Sequence, residues 1–85
     1  MSWRVEIGEG ARRELEGLQD DVAARLSEAI DDLQANPRPP GARKLSGREG
    51  WRIRKGDWRV LYVIDDATHR IRVYRIGNRR DVYRR

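Results

Sequence analysis

The chain has 85 residues, 39% of them charged, with a net charge of +5, one histidine and no cysteine. That length supports one domain with one small core, and the residue set removes disulfides, thiol nucleophiles and Cys/His zinc sites, so no cofactor and no metal is expected. Nothing approaches the roughly 18 apolar residues of a membrane span, and the opening MSWRVEIGEG holds no apolar run of signal-peptide length, which predicts a soluble cytoplasmic protein with no membrane partner.

In chain order, Trp3, Val5 and Ile7 alternate with Arg4 and Glu6, the period of a half-buried strand, until Gly8 and Gly10 interrupt it. From Ala11 the spacing turns helical: Ala11, Leu15 and Leu18 share a face, and Arg12, Arg13, Glu14 and Glu16 are expected to point away. Gly17 ends this segment. Asp20 or Asp21 can cap a second helix whose stripe of Val22, Leu26, Ala29, Ile30 and Leu33 keeps helical spacing up to Asn36-Pro37. PRPPGARKLSGREG then reads as a turn-rich connection. WRIRK, WRVLYVI and RIRVYRI each alternate as strands, the last two separated by the turn DDATH, where His69 reads as an exposed turn residue. The order is strand, two helices, three strands. This predicts a single α+β domain over residues 1–85, an antiparallel sheet with both helices packed on one face.

If Gly56 and Asp57 form the loop between the second and third strands, the pairs are Lys55 with Trp58, Arg54 with Arg59, Ile53 with Val60, Arg52 with Leu61, and Trp51 with Tyr62. One face is then nearly all apolar, and Trp51 and Trp58 belong to it as core aromatics. The other gathers Arg52, Arg54 and Arg59, a cluster whose mutual repulsion is relieved by a bound phosphate or an acidic partner. Charge along the chain agrees. Residues 1–42 hold five arginines against nine acids, a balance of −4, whereas residues 43–85 hold fourteen basic residues against five acids, a balance of +9. The second half is a polyanion-binding candidate.

WRIRKGDWRVLYVID, followed after one more strand by IGNRRDVY, resembles the RelE/ParE superfamily of toxins from toxin-antitoxin modules, whose members close on a similar GhRrdvY. The likeness runs over nearly the whole chain and implies the same α+β fold. For the RelE-like branch it implies a ribosome-dependent endoribonuclease that cleaves messenger RNA in the A site, with the 70S ribosome and mRNA as partners and a cognate antitoxin that neutralises it through an acidic or amphipathic segment. By motif position the resemblance assigns a catalytic set of Arg52, Arg54, Arg59, Arg79 and Tyr83, and RNA contacts at Lys44, Arg48, Lys55, Asn78 and Arg80. Asn78 replaces the histidine or lysine of many relatives, which removes a proton-transfer group there. With two residues following Tyr83 in the sequence, the C-terminal helix of longer relatives is not expected.

The chemistry is consistent with these residue types. Attack of a ribose 2′-OH on the adjacent phosphate builds negative charge on the non-bridging oxygens, which fixed guanidinium groups stabilise more in the transition state than before it. Arginine is a poor proton carrier at neutral pH, and Tyr83 becomes one only if neighbouring arginines favour its phenolate. It can instead stack on a base. Two alternatives stay open at this level: a ParE-like inhibitor of DNA gyrase, and a catalytically weak RNA- or antitoxin-binding relative.

Overall fold

The structure is a computed structural model and describes residues 2–78. Its elements are β1 (Arg4–Ile7), α1 (Glu9–Glu16), α2 (Asp20–Asp32), β2 (Arg43–Lys44), β3 (Trp51–Lys55), β4 (Trp58–Asp65) and β5 (Arg70–Asn78). The strands form one sheet in the order β1-β5-β4-β3-β2. The α+β class and the element order follow the sequence pattern. The sheet itself is mixed rather than antiparallel throughout, because β1 lies beside β5 in parallel, Arg4 opposite Arg70 and Ile7 opposite Val73. The helices carry the chain from β1 to the far edge, and three antiparallel steps from β2 then leave β5 running in the direction of β1. A further difference is β2, two residues inside the connection that reads as all turn; it pairs with β3, and the Leu45 amide donates to the Gly50 carbonyl at 2.9 Å.

Both helices cover the same sheet face. Ala11 of α1 and Leu26, Ala29 and Ile30 of α2 meet Ile53, Val60, Tyr62, Ile71, Val73 and Ile76, with Trp3, Trp51 and Trp58 packed around them. The predicted cap of α2 is displaced by one residue: Gln19 takes the N-cap position without a side-chain bond, while Asp20 and Asp21 fall in the first turn. There their charge favours the positive end of the helix dipole. Ile7, expected on the half-buried face, is 36% exposed, since β1 is an edge strand. Glu14 also departs from expectation. Its Oε1 accepts the Ile76 amide at 2.8 Å, so α1 covers part of the edge of β5 that β1 leaves open.

Two contacts tie the connection after α2 to the sheet. Arg38 donates to both carboxylate oxygens of Asp66, at 3.0 and 3.3 Å, and lies 5.1 Å over the Trp51 ring. The bond from Arg38 holds the Asp66 carboxyl below its usual range. Next to it the fully buried Tyr62 donates to the Pro37 carbonyl at 2.7 Å. Burial pushes the Tyr62 phenol up to about 12, from an ordinary 10.0, because the phenolate is poorly solvated there. The folded value lies above the unfolded one, so this stability is present below pH 10 and is lost as pH rises towards 12. Tyr62→Phe is expected to cost about 1–3 kcal/mol at neutral pH by leaving a buried carbonyl without its donor. It should also flatten the fall in stability above pH 10, which urea unfolding at a series of alkaline pH values measures.

Candidate functional site

The sheet face away from the helices carries the site, and a two-residue turn sets its register. Gly56 has φ +61° and Asp57 does not share the positive sign, the pattern of a type II′ turn, whose twist suits a hairpin. All five pairs follow, including Arg54 opposite Arg59. Extending them across the sheet gives two rows. The first runs Arg43, Arg52, Leu61, Arg75 over β2, β3, β4 and β5; the second runs Arg54, Arg59, Gly77. Five arginines therefore stand within the span of four strands, about 14 Å at the usual strand spacing.

The floor of this face is apolar and small. Leu61 is fully buried yet stands outside the core cluster on the helix side, flanked in its row by Arg52 and Arg75. Arginine stems are long enough to cover such a residue while their charged heads remain at the surface. Gly77 leaves the place beside Arg59 without a side chain.

The arginines are unevenly satisfied. Among the described residues Arg59 Nη1 is buried without a hydrogen-bond partner, and so is Arg75 Nε, whose nearest carboxylate contact there is Glu14 Oε2 at 3.7 Å. A buried guanidinium nitrogen with no acceptor carries a desolvation cost that a phosphate oxygen would cancel. Along the strands, away from the hairpin, the character changes: Glu6, Glu49, Asp65 and Asp66 join Arg70 and Arg72 around a cleft of about 480 Å³. Among the described residues the excess positive charge lies over β2, β3 and the hairpin. Beside the loop from β2 to β3, at the opposite end of β3 from the Gly56-Asp57 turn, a cleft of about 570 Å³ is lined by Arg43, Lys44, Leu45, Ser46, Arg48 and Arg52, and nearer the turn a smaller one is lined by Gly41, Arg43, Arg52 and Arg54. Among the described residues no group of three or more His, Cys, Asp or Glu side chains is arranged to hold a metal.

Of the residues assigned from sequence, Arg52, Arg54 and Arg59 share the open face, and Lys44 and Arg48 line the basic cleft beside Arg52. Lys55 and Asn78 do not join them in register. Both stand opposite Trp58, and so at positions of the helix-side face at the end of the sheet. Arg79, Arg80 and Tyr83 lie outside the described residues. Sequence reading does not place Arg43 or Arg75 on this face, and it leaves the face of Tyr74, flanked by arginines on its strand, undecided. Strict alternation in RIRVYRI puts Arg75 on the same side as Ile71 and Val73, but a bulge intervenes: Tyr62 pairs with Val73 and Leu61 with Arg75, so Tyr74 has no opposite residue. The signal was present. The buried residues of this strand are Ile71, Val73 and Ile76, a step of two followed by a step of three, which only an extra residue reconciles with a single face.

This geometry has close relatives. The family model described as the ParE toxin of the type II toxin-antitoxin system parDE matches residues 5–83. Toxin RelE of Mycobacterium tuberculosis is 36% identical over 84 residues, spanning 96% of this chain and 87% of its own length. Toxin RelG of the same organism is 35% identical over 89 aligned positions that span both chains completely. Among solved structures, the M. tuberculosis toxin-antitoxin complex RelBE2 contains a chain that superposes with a TM-score of 0.82 at 27% identity, over 93% of this chain and 100% of that one. With a family model matching residues 5–83 and relatives 35–36% identical over nearly its entire length, the chain belongs to the RelE/ParE superfamily of type II toxin-antitoxin toxins.

Proposed function

We propose that the chain is a ribosome-dependent endoribonuclease that cleaves messenger RNA in the A site and is neutralised by a cognate antitoxin. The observation that carries this reading is Arg59, opposite Arg54 and beside Arg52's row, with a buried guanidinium nitrogen that has no acceptor among the described residues. A face that repels itself and leaves a buried donor unmet is suited to an anion. In the reaction the 2′ oxygen loses its proton and bonds to phosphorus, the bond from phosphorus to the 5′ oxygen breaks, and that oxygen takes up a proton. Arg52, Arg54 and Arg59 stabilise the charge that develops on the non-bridging oxygens. Arg79 would add to this set and Tyr83 would stack on a base or carry a proton, while Lys44, Arg48 and Arg80 would hold flanking phosphates. Lys55 and Asn78 would contact RNA only beyond the hairpin end of the sheet.

Two features support an antitoxin partner: the solved relative RelBE2 is a toxin-antitoxin complex, and the excess of positive charge on this face favours an acidic or amphipathic segment laid across it. A gyrase-directed activity is the second reading, favoured by the ParE description of the matching family. Primer extension on transcripts translated by ribosomes with the purified toxin separates the two. Discrete cuts within the reading frame are the expected result. Uncut transcripts together with trapped gyrase-DNA complexes would overturn the ribonuclease in favour of the gyrase reading.

A further inference from the structure

We infer that the bulge at Tyr74 and Arg75 builds a nucleotide subsite on the open face, in which the Tyr74 ring stacks on a base and Arg75 contacts the adjoining phosphate. This deepens the proposed RNA-directed activity and rests on it.

The bulge gives β5 one residue more than β4 at this point, so that Ile76 returns to the core while Arg75 joins the row of Arg52. Tyr74 is half-buried but is absent from the helix-side core and from the residues packed against it. Its hydroxyl reaches over β4 towards the start of β3: a Cβ at Gly50 would lie 3.5 Å from the phenolic oxygen. β5 and β3 are two strand spacings apart, about 10 Å. A tyrosine covers that distance only by lying along the sheet, so the half-buried side chain spans the open face over β4 instead of standing off it.

Its surroundings suit a nucleotide. The same Gly50 position is 3.4 Å from Leu45 Cδ1, and Leu45 lines the basic cleft with Arg43, Arg48 and Arg52. The Tyr74 hydroxyl and Leu45 thus converge on Gly50, which brings the end of the tyrosine close to the basic cleft, while Arg72, two residues earlier on β5, lines the mixed-charge cleft. The cleft volume of about 570 Å³ falls within the roughly 300–1,000 Å³ of small-ligand sites. Arg75 is held in advance. Glu14 Oε2 sits 3.7 Å from its Nε while Oε1 binds the next amide, that of Ile76, so α1 fixes both the bulge and the arginine. An aromatic face beside fixed cations is how proteins grip single-stranded RNA.

The test uses the full-length toxin and a short single-stranded RNA carrying 2-aminopurine, whose emission is quenched on stacking. Wild type and Tyr74→Phe are expected to quench it equally. Tyr74→Leu, which keeps the apolar bulk, should lose the quench and bind about 5- to 150-fold more weakly. Arg75→Ala should reduce the salt dependence of binding by about one phosphate contact, with partial recovery in Arg75→Lys. Photo-crosslinking of the wild type to a 5-iodouridine oligonucleotide, mapped by mass spectrometry, should mark Tyr74 and needs no variant to fold. Crosslinks only at other residues, a wild type that does not quench, or a folded Tyr74→Leu that binds and quenches normally would each overturn the subsite. The proposed function fails separately, by uncut transcripts on ribosomes, and survives if Tyr74→Leu is silent while the wild type cuts.

Discussion

Arg59→Ala is expected to lower transcript cleavage by about 100- to 1,000-fold, the effect of removing one fixed donor from a developing oxyanion, while the protein becomes no less stable. The second half of that result separates a binding arginine from a structural one. Arg59 stands directly opposite Arg54, and like charges in that position destabilise a sheet by up to about 1 kcal/mol. Its Nη1 is buried with no acceptor among the described residues, so truncation removes an unmet donor rather than breaking a bond. Activity should fall and the urea midpoint should hold or rise. Single-turnover cleavage on programmed ribosomes, paired with urea unfolding of the same preparation, measures both. Arg59→Lys keeps the charge but loses the planar fork that engages two phosphate oxygens, and should recover only part of the rate. A variant that loses stability along with activity would show that Arg59 holds the sheet together, and the phosphate assignment would fall.

Gly50→Ala should be the most damaging glycine substitution in the described chain. Gly50 has φ +123°, a conformation that costs a residue with a side chain about 1–3 kcal/mol. A Cβ there would also sit 2.9 Å from the Tyr62 carbonyl oxygen, a backbone atom that cannot swing aside. Gly41, at φ +93° with nothing within 4 Å of its Cβ position, is the matched control, since alanine there meets the strain alone. The urea midpoint of Gly50→Ala should fall well below that of Gly41→Ala. Equal midpoints would mean that β3 and β4 shift to make room. The Tyr74 hydroxyl is at ordinary contact distance, 3.5 Å, so the added methyl group does not displace it.

The hairpin was fully legible because its determinants are local. Gly56-Asp57 sets the turn, alternation sets the faces, and every pair between β3 and β4 follows. The stripe of α2 was legible for the same reason. The parallel partnership of β1 was not, since nothing in residues 4–7 marks a partner sixty-six positions later at Arg70. The bulge was half legible: the spacing of Ile71, Val73 and Ile76 carries it, but Arg75 and Tyr74 acquire their places only once β4 fixes the register. Glu14 reads as a solvent-facing residue from helical period alone, because the edge amide it serves belongs to another part of the chain. As for the site, Arg52, Arg54 and Arg59 were found by register. Arg43 was hidden in a two-residue strand too short to leave a pattern.

The parallel pairing of β1 with β5 also bears on how the protein is made. Among the described residues, the first strand to leave a ribosome has no partner in the sheet except the last. Contacts so distant in sequence must close a long loop before they return any stabilisation. A nascent chain that ends before residue 70 has neither the partner of β1 nor Arg75 and Gly77, which complete the two arginine rows. The basic face therefore comes into being only once β5 has been made, and a partner that recognises the whole face can engage it no earlier.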